Sequence, residues 1–455
     1  MIKSITYEGK KIELYNNINN RENIFSIIIG KNGTGKSRLL QLICEEYSNN
    51  NTPKIKNSPS RIIAVSTTPF DKFPLKNNFK KGYYYQGIRG IQAQTISKGY
   101  ISKFIGDFLL GITENKINSL SKALKYLGYE DKIAISFRYI GGKRIENIIN
   151  SNKSDINESL KYHPYFENIF LNKLGIVKEY STNRGVYELR SYLVEKLIKG
   201  KEEINQFLVK DDKSLHELFK SICNSPWLHN IRKLKMNIIG KNVEFNKELS
   251  LSKDLINLIN SGLLKIENII LKKTNSKEAF HIDSASSGEQ SVIMNILGIS
   301  SVIKDNSLIL IDEPEVCLHP EWQEKYIKLL IDIFKINKKC HFIITTHSPQ
   351  IIANLGEKNC FITSIEDGKY KKSINYINKS SDFQLATLFN SPGFKNEYLT
   401  RLSLNLLSKI ISEKSVDHED KKIMEELLLI KNKLHEKDPL LELITSLDEM
   451  VKYYG

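Results

Sequence analysis

Residues 24–47 read "IFSIIIGKNGTGKSRLLQLICEEY". The apolar run at 24–30 is the length of a short buried strand. From 36 onward Leu39, Leu40, Ile43 and Cys44 recur at helical spacing. Between strand and helix, "GKNGTGKS" (30–37) fits G-x-x-x-x-G-K-[ST]. Glycines in such a turn let backbone N–H groups wrap phosphate oxygens, a lysine reaches the β and γ oxygens, and the hydroxyl holds Mg²⁺. The pattern therefore assigns Gly30, Lys31, Asn32, Gly33, Thr34, Gly35, Lys36, Ser37 and Arg38 to ATP, and Ser37 also to the metal.

Two further strand ends complete a site. "LILIDEPE" (308–315) is an apolar strand that stops on two acids. Asp312 is expected in the Mg²⁺ shell, and Glu313 is placed to orient and polarise an attacking water. "ITTHSP" (344–349) ends the next strand on His347, placed to touch the γ-phosphate. Strands alternate with helices at both ends of the chain, which predicts a mostly parallel α/β core. The pattern divides the chain into an N-terminal lobe (1–97), a mainly helical insertion (98–262), a C-terminal lobe (263–380) and a helical tail (381–455). In ABC-type ATPases, which these motifs resemble, a glutamine that couples the site to an inserted domain follows the second core strand. Gln86, Gln92 and Gln94 are in range, and Gln86 is favoured for ATP and metal contact. Tyr7 and Tyr15 are in range to stack on adenine, and either also fits as a strand residue.

Composition bounds the rest. The 455 residues suffice for two or three domains. No apolar run approaches the ~20 residues of a membrane span, and "MIKSITYEGKK" has no apolar signal region. The five cysteines are scattered without a CxxC pair, as expected of reduced cytosolic thiols. These features predict a cytoplasmic protein with no membrane partner. Net charge is +15. That suits a nucleic-acid partner, and it equally suits a lysine-rich, AT-rich genome.

"DSASSGEQSVIMNILG" (283–298) begins an apolar helix with serines and a glycine. Free N–H groups there can meet an anion, and an ordinary N-cap reads the same way. Following the three motifs above, this stretch resembles the Leu-Ser-Gly-Gly-Gln signature of ABC-type ATPases. Ser286 stands in place of the Leu and Glu289 in place of the second Gly. The resemblance implies that Ser287, Gly288 and Glu289 close on the ATP of a second subunit, two nucleotides being sandwiched in a head-to-tail homodimer. It implies a P-loop ABC-type ATPase core with ATP and Mg²⁺ as cofactors.

"DEPEVCLHPEWQ" (312–323) looks like the SMC-like, RecF-like and especially OLD-type branch of these AAA family ATPases, with Leu318, His319 and Pro320 at the D-loop. OLD-type nucleases carry a Toprim domain with a D-x-D cluster, and the tail has no D-x-D. "DHED" (417–420) reads as a solvated N-cap. The combination resembles stand-alone ATPases of bacterial anti-phage systems, nearest to the Septu-type ATPase. The implied partner is a separate nuclease or toxin effector of HNH or Toprim type. Two other readings stay open: a RecF-like repair ATPase at DNA ends or gaps, and an ATP subunit of a transporter.

Overall fold

The computed structural model describes residues 1–16, 22–48, 58–75, 82–89, 105, 109, 118–152, 184–198, 212–231, 233–240, 242–246, 249–275, 279–316, 318–353 and 355–455. These form two compact units, Met1–Gly87 with Ile303–Gly455, and Ile88–Val302.

In chain order the first unit opens with β1 (Ser4–Tyr7), β2 (Lys10–Glu13), β3 (Ile24–Ile29), α1 (Lys36–Ser48), β4 (Arg61–Ser66) and β5 (Tyr83–Gly87). The second unit holds α2 (Asn118–Tyr126), β6 (Lys132–Tyr139), α3 (Gly142–Asn152), α4 (Arg184–Ile198), α5 (Asp212–Cys223), β7 (Lys233–Ile239), β8 (Asn242–Phe245), α6 (Lys253–Asn260), β9 (Leu264–Lys272), β10 (Ala279–His281) and α7 (Ser287–Val302). The chain then returns to the first unit with β11 (Ser307–Asp312), α8 (Pro320–Phe334), β12 (His341–Thr346), β13 (Cys360–Ser364), β14 (Tyr370–Lys372), α9 (Ser381–Thr387), α10 (Glu397–Glu413), α11 (His418–Lys431) and α12 (Leu440–Tyr454).

Strands that are apolar without alternation need cover on both faces. Accordingly β3, β11 and β12 are buried at every residue. They sit in the middle of a seven-stranded sheet of order β14-β13-β3-β12-β11-β4-β5. All neighbours in it run parallel except β13 and β14. Asp312 lies opposite both Ser66 and Thr345, while Thr346 and Ser364 lie opposite Ile29. The carboxyl ends of β13, β3, β12, β11 and β4 are therefore nearly level. The glycine turn, the acids after 311, His347 and the loop after Ser66 all leave that one edge, where ligands bind in open parallel sheets.

The second unit is built on an antiparallel sheet of order β10-β9-β6-β7-β8. Along β7, Leu234, Met236 and Ile238 point inward and alternate with exposed or half-buried residues. This unit begins at Ile88 and takes in 263–302, the segment that the sequence pattern grouped with the C-terminal lobe. In α7 every residue from Ser291 to Val302 is buried, as expected of a helix that is apolar all round.

The tail belongs to the first unit. Helices α10, α11 and α12 share a core of Leu399, Leu406, Ile410, Met424, Leu427, Leu440, Ile444 and Leu447. Asn396 caps α10 by accepting from the Leu399 N–H at 3.0 Å. Asp417 caps α11 in a reciprocal box with Asp420, and Lys409 pairs with both carboxylates. "DHED" is thus a helix start. No helix among the described residues is long and apolar enough to cross a membrane.

Candidate nucleotide site

Lys36, the first residue of α1, is curled back into its own turn. Its Nζ donates to the carbonyl oxygens of Gly30 and Lys31, each at 2.9 Å. Burial pulls its pKa below the ordinary lysine value, against the pull of Glu313, Glu315, Asp312 and Glu366. The glycines are demanded by space and by backbone. A Cβ on Gly30 would meet Ile365 Cγ2 at 2.7 Å, and Gly35 has φ +89° with the Tyr7 phenol lying against it. Tyr7 is thus beside the turn. Tyr15 is a core residue, 5% exposed and edge-on to His341 at 5.4 Å.

The two residues expected to hold the metal, Ser37 and Asp312, lie within hydrogen-bond distance of each other. Ser37 Oγ donates to Asp312 Oδ1 at 3.1 Å. Thr345 on the neighbouring strand donates to the same oxygen at 2.6 Å. Burial raises the Asp312 pKa, opposed by those two hydrogen bonds. A hydroxyl and a carboxylate at the mouth of the turn are hard oxygen ligands. They fit Mg²⁺, whose other positions are filled by phosphate oxygens and water. Among the described residues no cluster of three or more His, Cys, Asp or Glu is placed to hold a metal ion by itself.

Glu313 leaves the strand abruptly. Its N–H still donates to Thr345 O at 3.1 Å. Its own φ is 45°, in the left-handed region that is costly for a residue with a Cβ. Its Oε1 lies 3.6 Å from His347 Nδ1, and Glu315 Oε1 lies 3.0 Å from the same nitrogen. Glu313 first and Glu315 second push the His347 pKa up to about 10. His347 in turn holds the Glu313 carboxyl below the usual range.

Lys36, Ser37, Asp312, Glu313 and His347 thus meet at one edge of one sheet. Gln86 lies on a more distant strand of the same sheet. It is buried within β5, opposite Val65, so β4 separates its strand from β11 by about 10 Å of sheet. Gln92, Gln94 and Cys317 lie outside the described residues. Two contributors escaped the sequence reading, Thr345 and Glu315. The only signal for Glu315 was a second acid two positions beyond Glu313, across Pro314.

The Ser-Ser-Gly-Glu-Gln segment lies in the second unit. Ser286 caps α7: its Oγ accepts from Glu289 N at 3.2 Å, and Glu289 Oε2 accepts from Ser286 N at 3.1 Å. Glu289 also pairs with Lys273 at 3.1 Å. Ser287 is exposed and Gly288 buried at the first turn. The acid that replaces a glycine here therefore closes a capping box within its own helix.

The chain is 23% identical over 409 residues to the "Retron Vc95 probable ATPase" of Vibrio cholerae serotype O1 biovar El Tor, covering 80% of this chain and 73% of that one. It is 28% identical over 151 residues to the "Retron Ec83 probable ATPase" of Escherichia coli, covering 30% and 27% of the two chains. Among solved structures, the Smc head domain of Pyrococcus furiosus, bound to the C-terminal domain of ScpA, matches at 16% identity. That match covers 81% of this chain and 93% of the other with a TM-score of 0.27, a value that carries no argument. Residues 6–352 match the model of the AAA ATPase domain, and the chain belongs to that family of ATPases.

Proposed function

We propose that this ATPase is a nucleotide-driven switch of anti-phage defence, which closes as a head-to-tail dimer and governs a separate nuclease or toxin. One observation carries the chemical part: the glycine turn, the Ser37–Asp312 pair and the Glu313–His347 pair share one sheet edge. Residues 30–38 cradle the triphosphate and Lys36 meets its β and γ oxygens. Ser37 and Asp312 would hold Mg²⁺, which would supply positive charge to those oxygens. Glu313 orients the water, and the His347 imidazolium faces the γ-phosphate.

Ser287 and Gly288 of a second subunit close the site, with Glu289 holding their helix start. Similarity to two retron ATPases supports a defence role, and the net charge of +15 supports contact with nucleic acid. The insertion and the helical tail are the surfaces offered to an effector of HNH or Toprim type. A RecF-like repair ATPase shares the same charge argument, and a gene neighbourhood of recombination proteins would favour it.

The test is a pair of variants. Glu313→Gln is expected to bind ATP normally and to lose hydrolysis by about 100-fold or more, because phosphate and Mg²⁺ ligands survive while the water loses its carboxylate. Lys36→Ala is expected to lose ATP affinity itself. Wild-type turnover in Glu313→Gln, measured by phosphate release, would reject the catalytic assignment.

A further inference from the structure

We propose that Glu315 is the positioning residue for His347, holding its ring through Nδ1 so that Glu313 is left free for the attacking water. This deepens the ATPase reading above and rests on it.

The two carboxylates reach the same imidazole from one turn. After the left-handed residue Glu313, Pro314 is buried and Leu318 N–H closes back on Glu315 O at 2.9 Å. Glu315 Oε1 then receives three groups. Thr346 Oγ1 donates at 2.8 Å, the His347 backbone N–H donates at 2.8 Å, and His347 Nδ1 lies at 3.0 Å. Glu313 Oε1 is 3.6 Å from that nitrogen, beyond ordinary hydrogen-bond length. A ring nitrogen carries one hydrogen, so Nδ1–H belongs to Glu315.

The two acids also differ in surroundings. The Glu315 side chain is 4% exposed and that of Glu313 is 27% exposed. The other Glu315 oxygen, Oε2, is buried without a hydrogen-bond partner. A buried carboxylate with one bare oxygen is costly unless a charge faces it. The imidazolium of His347 is that charge. The His347 side chain is 40% exposed, and with Nδ1 engaged its remaining nitrogen, Nε2, is the donor left for a phosphate oxygen. In this division of labour Glu315 fixes the ring and its charge, and Glu313 keeps its oxygens for water.

A structural role alone would make Glu315 a cap for the turn after β12. The substitution Glu315→Gln separates the two, because a glutamine oxygen still accepts from Thr346 Oγ1 and the His347 N–H while the negative charge is gone. In ATPase assays Glu315→Gln is expected to keep the KM for ATP within about twofold and to lower kcat about 10- to 100-fold. The alkaline limb of its kcat–pH profile is expected to move to lower pH. Unchanged kcat with an unchanged pH profile overturns the proposal.

A second readout is independent of turnover. In nucleotide-free protein labelled with ¹⁵N-histidine, with His347 assigned through His347→Gln, both ring nitrogens are expected to carry protons at pH 8. The ring is expected to lose its second proton at lower pH in Glu315→Gln than in Glu313→Gln, because the carboxylate at 3.0 Å, and not the one at 3.6 Å, holds Nδ1–H. A neutral His347 in the wild type at pH 8 overturns the proposal even if Glu315→Gln fails to fold, and so does a ring that loses its proton in Glu313→Gln at a pH equal to or below that in Glu315→Gln. Absence of ATP hydrolysis by the wild type would instead reject the ATPase reading and leave the nitrogen spectra to decide the role of Glu315.

Discussion

At the scale of single residues, burial decides which titratable groups do chemistry and which hold the fold. His347 and His341 stand at opposite ends of one strand with opposite shifts. His341, at the start of β12, is completely enclosed. Its Nδ1 accepts from Ile2 N–H at 3.3 Å, and its Nε2 meets Ser26 Oγ at 2.9 Å. Because Ser26 Oγ already donates to Leu14 O at 3.0 Å, Nε2 must carry the hydrogen and the ring is neutral. Burial, with the N-terminal ammonium, lowers its pKa to about 3. The unfolded chain takes up a proton near pH 6.5 that the native state refuses. The neutral ring's stabilisation is therefore complete above about pH 6.5 and lost as pH falls towards 3. Urea unfolding is expected to show stability dropping between pH 7 and 5 by up to about 1.4 kcal/mol per pH unit from this group. His341→Gln should remove that slope, and equal slopes in the two proteins would show that His341 is already charged in the fold. The glycine turn, Asp312, Glu313 and His347 were legible in the sequence because each ends a short apolar strand. Thr345 and Glu315 were not, because their roles come from strand register and from one left-handed residue, which sequence spacing does not display.

At the scale of elements, the parallel strands were legible because burial on both faces leaves an unbroken apolar run, as in "SLILID". Strands β6 and β7 were hidden by the opposite pattern. "KIAISFRY" and "KLKMNII" alternate polar with apolar residues in a segment dominated by helical spacing, and their pairing depends on partners far along the chain. The start of α7 shows how one motif can carry two meanings. Its serines and glycine fit an anion site in the sequence, and the structure closes Ser286 and Glu289 on each other. Such a box satisfies two orphan N–H groups at once. Ser286→Ala is expected to destabilise the chain by about 1 kcal/mol, read as a lower urea midpoint. Glu289→Ala should cost a similar amount. The double variant should cost little more than the larger single one, because either change breaks the same reciprocal pair. Fully additive losses would mean that the two side chains stabilise α7 separately.

At the scale of the whole molecule, the phosphate site lies in the first unit and the Ser287–Gly288 turn in the second. In the proposed sandwich each site draws its second half from another subunit, so two inactive variants should complement. Ser287→Arg keeps its own glycine turn but blocks a neighbour, and Lys36→Ala does the reverse. Random pairing makes half the dimers mixed, each with one intact site of two, so an equimolar mixture should regain about a quarter of wild-type turnover. No recovery once mixed dimers are demonstrated by mass would reject the sandwich. The effector prediction follows from what a switch must deliver. To take a partner from mostly held to mostly free, the two nucleotide states must differ in affinity by about 10⁴, or ~5.5 kcal/mol. A difference of that size requires an extended interface, and an interface that large survives purification. The tail supplies exposed apolar side chains beyond the nucleotide site: Phe394, Leu404, Ile411, Leu429 and Tyr453 are each about half exposed or more. Co-expressed with the product of a neighbouring nuclease or toxin gene, this chain should therefore retain it through affinity and size-exclusion steps. ATP should release it from the wild type, with much less release from Lys36→Ala. A partner that never co-purifies, or that leaves both proteins equally with and without ATP, would reduce this chain to an ATPase that does not gate that effector.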